Sequence, residues 1–237
     1  TNMTPEEIRS LKYAAAARAL EFVEPGMKLG LGSGSTSAAF VDLLGVRVRG
    51  GLKVVCTPTS EAIAEQARGL GIPLKKLADL APLDLVVDGA DEADADLNLI
   101  KGGGGALTRE KIVESSAKRF IVIADASKLV DRLGQFPLPV EVVTFGHETT
   151  AMRITDVTRK LGYADVPLVL REKNGDVFKT DGGNVIYDCH FGAITDAGAL
   201  ATALSCIAGV VEHGLFTGMA EALILAHPDG CKVIYPR

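Results

Sequence analysis

The stretch of sequence that most constrains the fold covers residues 84–118, where a short apolar run is followed at once by acids, a lysine and glycines. Residues 85–87 are Leu-Val-Val, a continuously apolar and branched run that is typical of a strand covered on both faces, and therefore of a parallel sheet. Asp88 and Asp91 follow directly, and the carboxyl ends of the strands border the ligand crevice of an open α/β sheet. We therefore expect both acids at a substrate site, although Asp88 with Gly89 is also a common turn pair.

A run of glycines follows these acids. Lys101 precedes Gly102, Gly103, Gly104 and Gly105, and a helix is predicted to begin just after them. Glycine lets the backbone approach a ligand closely, and several N–H groups turned inward form a nest for an anion. A flexible linker has a similar composition, but a linker does not normally lie between a strand and the start of a helix. The run therefore favours an anion-binding loop.

The helix after the glycines carries the candidate catalytic base. Thr108 is the predicted N-cap, and one face of the helix is predicted to contain Ala106, Glu110, Val113, Ala117 and Phe120. The opposite, polar face is assigned to Lys111, Glu114 and Lys118. Glu110 is then the one carboxylate on the apolar face, where it is either a general base or an acid that interacts favourably with the helix dipole. Burial would raise its pKa, whereas the helix terminus and Lys101 would lower it, so the direction of the shift stays open.

A second glycine loop lies nearer the start of the chain. The predicted strand at residues 27–31 is followed by Gly-Ser-Gly-Ser-Thr at residues 32–36 and then by a helix, an arrangement that presents N–H groups to a phosphate. It is not a nucleotide P-loop, because no Gly-Lys-Ser/Thr follows, and Ser37 occupies the third glycine position of a dinucleotide fingerprint. A generic loop-to-helix turn is the alternative. The candidates for binding a small phosphate group are Ser33, Gly34, Ser35 and Thr36.

Two lysines are further candidates for contacting that phosphate. Lys12 lies beside the buried face of the first predicted helix, which begins with Thr4 as N-cap, Pro5 and Glu7. Lys128 comes just after the predicted strand at residues 120–124, at its carboxyl end. Each is also explained as an ordinary surface lysine whose alkyl chain packs along apolar surface, and both interpretations stay open.

The order of predicted elements indicates two structural units. Strands alternate with helices as far as residue 137, which predicts a doubly wound, mostly parallel sheet. The later order βαββαβ, with one extra short strand, is the ferredoxin-like α+β arrangement, and two late apolar strands are assigned back to the first sheet. We therefore predict an α/β protein with a Rossmann-like catalytic domain over residues 1–137 plus 214–237 and a smaller ferredoxin-like subdomain over residues 138–213.

Charge and composition exclude several classes of function. The 237 residues carry a net charge of −5 without a basic tract, which argues against nucleic acid as a partner. The four cysteines form no CxxC pair, the four histidines form no HExxH motif, and residues 94–105 lack the glycine and the bidentate acid of a calcium loop, so we expect no metal. No run approaches the length of a membrane span and no export signal is visible, so we expect a cytoplasmic protein without membrane association.

Several motifs, in order along nearly the whole chain, resemble type A ribose-5-phosphate isomerases. They are GSGST at residues 32–36, VDGAD at 87–91, IKGGGGALTREKI at 100–112, IADASKLVDRLGQFPLPVEV at 123–142 and PDG at 228–230. The resemblance implies interconversion of D-ribose 5-phosphate and D-ribulose 5-phosphate in the non-oxidative pentose phosphate pathway. It also implies a reaction without metal or cofactor, and a homodimer or homotetramer.

The resemblance implies roles for individual residues as well. Glu110 corresponds to the proton acceptor, and Lys12 falls where the family has a lysine that contacts the phosphate. Ser33 stands where a threonine is frequent, and it keeps the hydroxyl group. The remaining substrate-binding positions implied in this way are Ser33, Gly34, Ser35, Thr36, Asp88, Gly89, Ala90, Asp91, Lys101, Gly102, Gly103, Gly104 and Lys128.

The chemistry of the residues agrees with this resemblance. Isomerisation moves a proton between neighbouring carbons through an enediolate, and one carboxylate such as Glu110 is sufficient for both transfers. Lys101 and the glycine N–H groups would stabilise the oxyanion, while Asp88 and Asp91 would hold sugar hydroxyls and assist ring opening, with their division of roles left open. Two alternatives on a similar fold are a sugar-phosphate sensor domain without turnover and a CoA transferase with a glutamate nucleophile.

Overall fold

A computed structural model describes residues 2–237 of the chain. The helices are α1 (Pro5–Leu20), α2 (Ser35–Arg49), α3 (Glu61–Gly69), α4 (Leu77–Leu80), α5 (Leu107–Ser115), α6 (His147–Lys160) and α7 (Ala197–Ser205), with a 3₁₀ turn at Ala126–Lys128. The strands are β1 (Lys28–Leu31), β2 (Val55–Pro58), β3 (Leu85–Asp88), β4 (Glu92–Ala93), β5 (Leu99–Ile100), β6 (Phe120–Asp125), β7 (Leu138–Val142), β8 (Leu168–Leu170), β9 (Glu172–Lys173), β10 (Asp176–Val177), β11 (Val185–Cys189), β12 (Val210–His213), β13 (Leu215–Phe216), β14 (Ala222–His227) and β15 (Gly230–Ile234).

The main sheet has six strands in the order β15-β14-β6-β3-β1-β2. Its strands are parallel except for β15, which pairs antiparallel with β14, so the two late strands do return to the first sheet as predicted. Strand β3 lies between β1 and β6 and is buried along its whole length, which explains its continuous apolar sequence.

Helices cover both faces of this sheet. Val87 packs into the core cluster formed with α1, α2 and α3, whereas Val86 packs into the cluster that contains Val113 of α5. Side chains of successive strand residues point to opposite faces, so this division shows one helical layer on each side. The predicted doubly wound sheet is confirmed. Helix α1 has the predicted Thr4 and Glu7 capping box and ends at Leu20.

A second sheet has four antiparallel strands in the order β12-β7-β11-β8. The first and last strands of the βαββαβ sequence, β7 and β12, lie side by side, which is the ferredoxin-like arrangement. Helices α6 and α7 contribute Ile154, Leu200 and Leu204 to the core against Val140 and Val142 of β7. The extra strand is β10, which pairs with β9 in a separate hairpin.

A third, small sheet was not predicted, because its strands β13, β5 and β4 have only two residues each and show no periodicity. It fixes the segment that leads into the site. The Asp91 N–H donates to the Ile100 carbonyl over 2.8 Å, and the Lys101 N–H donates to the Gly214 carbonyl over 2.8 Å. Within residues 2–237, no helix is both long enough and apolar enough to cross a membrane.

Candidate active site

One cleft of about 120 Å³ brings the predicted site residues together. It lies at the carboxyl ends of β1 and β3, where ligands of open α/β sheets bind. Of the fifteen residues predicted for the site, only Asp88 does not line this cleft. The lining residues are Lys12, Ser33, Gly34, Ser35, Thr36, Gly89, Ala90, Asp91, Lys101, Gly102, Gly103, Gly104, Glu110 and Lys128.

The loop at residues 32–36 forms one end of the cleft and leads into α2. Gly34 is the N-cap residue of α2 and has a φ of 90°, a value that favours glycine, and no side chain caps the helix. The first N–H groups of a helix have no partner within the helix, so this end of α2 can bind an anion. Lys12 reaches the same end from α1, because its Nζ donates to Ser35 Oγ over 2.7 Å. This end of the cleft therefore has the groups that a phosphate requires.

Asp88 lies beneath the floor of the cleft and is fully buried. Its Oδ1 accepts hydrogen bonds from the Ser33 N–H (3.2 Å), the Ser37 hydroxyl (3.0 Å) and the Gly89 N–H (2.7 Å). Burial raises the pKa of Asp88, but the adjacent Lys101 ammonium and the neighbouring polar side chains together outweigh it, and the pKa falls below its ordinary value. Asp88 does not line the cleft, and its predicted contact with a sugar hydroxyl stays a prediction.

Lys101 is the cation at the centre of the site. Its Nζ lies 3.1 Å from Asp88 Oδ2, 3.0 Å from Glu110 Oε2 and 3.8 Å from Glu114 Oε1, and it also donates to the Gly89 carbonyl. Burial lowers the pKa of Lys101, but the three carboxylates raise it by more than burial lowers it. The pKa therefore lies above its ordinary value. Lys101 is therefore an ammonium at neutral pH.

The three acids around this ammonium are spaced closely enough to hold a metal ion. One carboxylate oxygen from each of Asp88, Glu110 and Glu114 lies within 4.8 Å of the others. The Lys101 ammonium supplies the positive charge among them, at distances of 3.0 to 3.8 Å. Lys101 therefore supplies one positive charge where the three acids would otherwise hold a metal ion.

Glu110 is the carboxylate that reaches the cleft from α5. The residue is 4% exposed, and its carboxylate is held by Lys101 on one side. Burial, and then the negative charge of Asp88, raise the pKa of Glu110 well above its ordinary value, and Lys101 only partly offsets this. A carboxylate with a raised pKa is a stronger base, which suits it to removing a proton from carbon.

The start and the end of α5 differ from the predictions. The helix begins at Leu107 with Ala106 as its N-cap residue, and the Thr108 hydroxyl instead donates to Glu141 Oε1 over 2.9 Å. It ends at Ser115, so Ala117 and Phe120 do not belong to its apolar face.

The faces of α5 also differ from the prediction. Glu114 was expected on the polar face, but it is 3% exposed and points towards Lys101. Glu110 and Glu114 are four residues apart and therefore lie on the same face of the helix. The assignment of Glu114 to the polar face was therefore wrong, although glutamates are usually solvent-exposed. Two carboxylates, not one, are buried on this helix.

The glycine loop is held from both sides. Asp91 Oδ2 accepts the Gly103 N–H over 2.8 Å, and a Cβ atom on Gly103 would displace the Asp91 carboxylate from this position. From the other side, Arg171 Nη1 donates to the carbonyls of Gly102 (2.9 Å) and Gly103 (3.2 Å). Burial raises the pKa of Asp91, while the Gly103 N–H and nearby cations partly oppose this shift.

Arg171 is a site residue that the sequence did not indicate. It lies just after β8 of the second sheet, and its guanidinium forms a two-fold ion pair with Asp188 of β11, at 2.9 Å and 2.6 Å. A planar guanidinium held in this way by a carboxylate has little freedom to move. The second sheet therefore supports the glycine loop of the cleft through this arginine.

Comparisons with known proteins point to one family. Residues 55–230 match the sequence profile of the family described as ribose 5-phosphate isomerase A (phosphoriboisomerase A). The ribose-5-phosphate isomerase A of Nitrobacter hamburgensis is 56% identical over 228 residues, which cover 96% of this chain and 98% of the relative. The protein of the same name from Parvibaculum lavamentivorans is 54% identical over 223 residues, covering 94% of this chain and 96% of the relative.

Solved structures give the same result. A ribose 5-phosphate isomerase from Plasmodium falciparum superimposes with a TM-score of 0.92 at 37% identity, covering 97% of this chain and 99% of that one. A D-ribose-5-phosphate isomerase solved in complex with phospho-erythronic acid superimposes with a TM-score of 0.89 at 39% identity, covering 96% of this chain and 99% of that one. These relatives support neither the sensor domain nor the CoA transferase alternative.

Proposed function

This chain belongs to the ribose 5-phosphate isomerase A family, and we propose that Glu110 is the base through which it interconverts D-ribose 5-phosphate and D-ribulose 5-phosphate. Members of the family are aldose-ketose isomerases, and so is this enzyme. The observation that carries the assignment of Glu110 is its 3.0 Å contact with Lys101 at the floor of a cleft that also contains the glycine loop. No other carboxylate of the cleft combines a lysine partner with a strongly raised pKa among residues 2–237.

The phosphate of the substrate binds at the end of the cleft formed by residues 32–36. The N-terminus of α2 supplies free N–H groups, and Lys12 and Lys128 supply positive charge. Binding at this end holds the sugar chain in register, so that its reacting carbons lie near Glu110. Because the overall charge of the protein is negative, these local groups, and not the net charge, attract the anionic substrate.

The reaction at the other end of the sugar is a proton transfer. Glu110 removes the proton from C2 of the open-chain aldose, and electrons shift onto the C1 oxygen to give the enediolate. The hydroxyl proton of O2 passes to O1, and the same carboxyl group returns a proton to C1 as the C2 carbonyl forms. The Lys101 ammonium and the N–H groups of the glycine loop stabilise the enediolate oxygens while they carry negative charge. A preorganised cation in a site with little water is effective here, because no solvent has to reorganise.

The two aspartates have different roles in this scheme. Asp91 faces the cleft and is the carboxylate that binds the sugar hydroxyls and assists ring opening. Asp88 lies beneath the cleft and acts on Lys101, whose charge it balances at 3.1 Å. Asp88 is therefore a positioning residue, and its buried location supports this assignment.

The proposed activity belongs to the non-oxidative pentose phosphate pathway and therefore to carbohydrate metabolism. A Rossmann-like domain over residues 1–137 plus 214–237 and a subdomain over residues 138–213 are supported by the position of the four-stranded sheet between Leu138 and His213. A homodimer or homotetramer and a cytoplasmic location stay predictions that rest on the sequence.

Steady-state kinetics of Glu110→Gln test the assignment of the base. Glutamine keeps the size of the side chain but does not accept a proton, so we expect turnover to fall by about 1,000-fold, within the range that general base catalysis contributes. The matched control is Glu65→Gln, an exposed glutamate on α3, which should keep wild-type turnover. A Glu110→Gln enzyme within tenfold of wild type would remove Glu110 from the role of base.

A further inference from the structure

Glu114 is a buried acid that the reaction scheme does not use. It lies one helical turn after Glu110 and is 3% exposed, and neither of its carboxylate oxygens has a hydrogen-bond partner. The third buried side-chain oxygen without a hydrogen bond, among residues 2–237, is Oδ2 of Asp88. Buried polar atoms are nearly always hydrogen-bonded, so three unpartnered oxygens in one cluster require an explanation.

The charges of the cluster indicate that a proton is present. Asp88, Glu110 and Glu114 lie within 4.8 Å of one another, and Lys101 is the only cation among them in the described part of the chain. The other charged group near Glu114 is Lys111 on the same helix, and its Nζ is bound at 2.7 Å to Glu212 of β12. Three ionised carboxylates against one ammonium would leave two uncompensated negative charges in a buried site, which is strongly unfavourable.

The three acids differ in how strongly their contacts stabilise the ionised form. Asp88 accepts three hydrogen bonds at Oδ1 and meets Lys101 at Oδ2, all of which stabilise its ionised form. Glu110 lies 3.0 Å from the ammonium and reaches the cleft. Glu114 is the most distant of the three, at 3.8 Å, and accepts no hydrogen bond. The acid with the least stabilised anion is the one that keeps its proton.

We infer that Glu114 is a positioning residue that stays protonated during catalysis and donates its proton to Oδ2 of Asp88. One hydrogen bond then satisfies two of the unpartnered sites, and Asp88 is kept from taking up the proton that Glu110 must carry. The inference rests on the proposed role of Glu110 as the base. Through this hydrogen bond, Glu114 leaves Glu110 as the single basic carboxylate of the site.

The direction of the pKa shift agrees with this assignment. Burial, and then the negative charge of Asp88, raise the pKa of Glu114 well above its ordinary value, and Lys101 opposes the shift only in part. The pKa of Asp88 lies below its ordinary value, and the hydrogen bond proposed from Glu114 would act in the same direction. The two acids therefore share one proton unequally, with Glu114 as the donor.

Two substitutions separate this role from simple packing. Glu114→Gln keeps the size and an N–H donor towards Asp88, whereas Glu114→Leu fills a similar volume without any donor. We expect Glu114→Leu to lower kcat by about tenfold or more with little change in KM, because a buried carboxylate loses its partner. In the pH–rate profile of Glu114→Leu, the loss of activity on the acid side should begin at a higher pH than in the wild type, because Asp88 then competes for the proton of Glu110. Glu114→Gln should recover most of the lost turnover and the wild-type pH profile.

Infrared spectroscopy tests the protonation state without turnover. At neutral pH the carbonyl stretch of a protonated carboxyl group should be present in the wild type and in Glu110→Gln, and a matching band should be missing in Glu114→Gln. The inference would be overturned if Glu114→Gln kept the carboxyl band. It would also be overturned if the turnover and pH–rate profile of Glu114→Gln were as altered as those of Glu114→Leu. Because the spectrum is read without substrate, this result is independent of whether Glu110 is the base, and it stands if Glu114→Leu fails to fold.

Discussion

The Nζ atom of Lys101 lies 3.0 Å from Oε2 of Glu110, and neither side chain is more than 6% exposed. The same ammonium lies 3.1 Å from Asp88. In so dry a site each of these interactions is stronger than it would be in water, and each unpaired charge is more costly. The basicity of Glu110 and the stability of the fold around it therefore depend on one lysine.

The first prediction concerns removal of this lysine. Lys101→Met should abolish most turnover and should also lower the free energy of unfolding at neutral pH by about 3 kcal/mol, because breaking a buried ion pair leaves its carboxylates uncompensated. The stability loss should shrink as the pH falls, since protonation makes the carboxylates neutral. Urea unfolding at several pH values measures this difference in unfolding free energy between the variant and the wild type.

Lys118→Met, at a side chain that is 63% exposed, is the control for Lys101→Met and should change stability by less than about 0.5 kcal/mol. A stability loss that is the same at every pH would contradict the account.

The second prediction concerns the arginine beneath the glycine loop. Arg171→Lys should lower kcat/KM by about tenfold. Lysine lacks the planar guanidinium, which donates to Asp188 and to the carbonyls of the glycine loop at the same time. Arg159→Lys is the matched control, since Arg159 also contacts an aspartate, Asp165, but both side chains are more than half exposed. Equal kinetics for the two variants would show that the glycine loop does not need Arg171.

The third prediction concerns the phosphate end of the cleft. Lys12→Ala should raise KM for ribose 5-phosphate by about tenfold, as expected for a lost hydrogen bond to a charged group, with a smaller change in kcat. Turnover of unphosphorylated ribose, although slow, should not change, because that substrate has no group for Lys12 to bind. A parallel loss with both substrates would indicate that Lys12 supports the loop and does not contact the phosphate.

Much of this cleft could be predicted because its residues have local signals. The apolar run of β3 is followed by acids, and the glycines cluster between a strand and a helix, so the sequence patterns marked both segments. Arg171 had no comparable signal, and Glu114 had only its spacing of four residues from Glu110. Glu114 lies on a helix with few apolar residues, and its burial results from the position of Lys101. Arg171 reaches the cleft from the second sheet, and no sequence pattern predicts how two sheets meet.

The fourth prediction concerns the pH dependence of stability. Burial and the adjacent Lys111 ammonium lower the pKa of His213 to about 4, and its Nδ1 accepts the Leu215 N–H over 3.1 Å, which requires a neutral ring. The unfolded chain takes up the proton at about pH 6.5 and the folded chain only near pH 4, so stability is complete above pH 6.5 and is lost as the pH falls through this window. The full loss across this window is on the order of 3 kcal/mol.

His213→Gln isolates this contribution. Because glutamine does not titrate, the variant should lose less stability than the wild type between about pH 7 and pH 5, as measured by urea unfolding. His190→Gln, at an exposed histidine, is the control and should follow the wild type. A His213→Gln variant with the same pH dependence as the wild type would show that His213 titrates normally in the folded protein.

The most direct test of the account is the exchange of substrate protons with solvent. Wild-type enzyme incubated with ribose 5-phosphate in heavy water should incorporate deuterium at the carbon next to the carbonyl, and Glu65→Gln should do the same. Glu110→Gln, with its fold verified by circular dichroism, should leave the substrate unlabelled over the time in which the wild type reaches equilibrium. Labelling by Glu110→Gln at a rate close to that of the wild type would contradict the claim that Glu110 carries the proton.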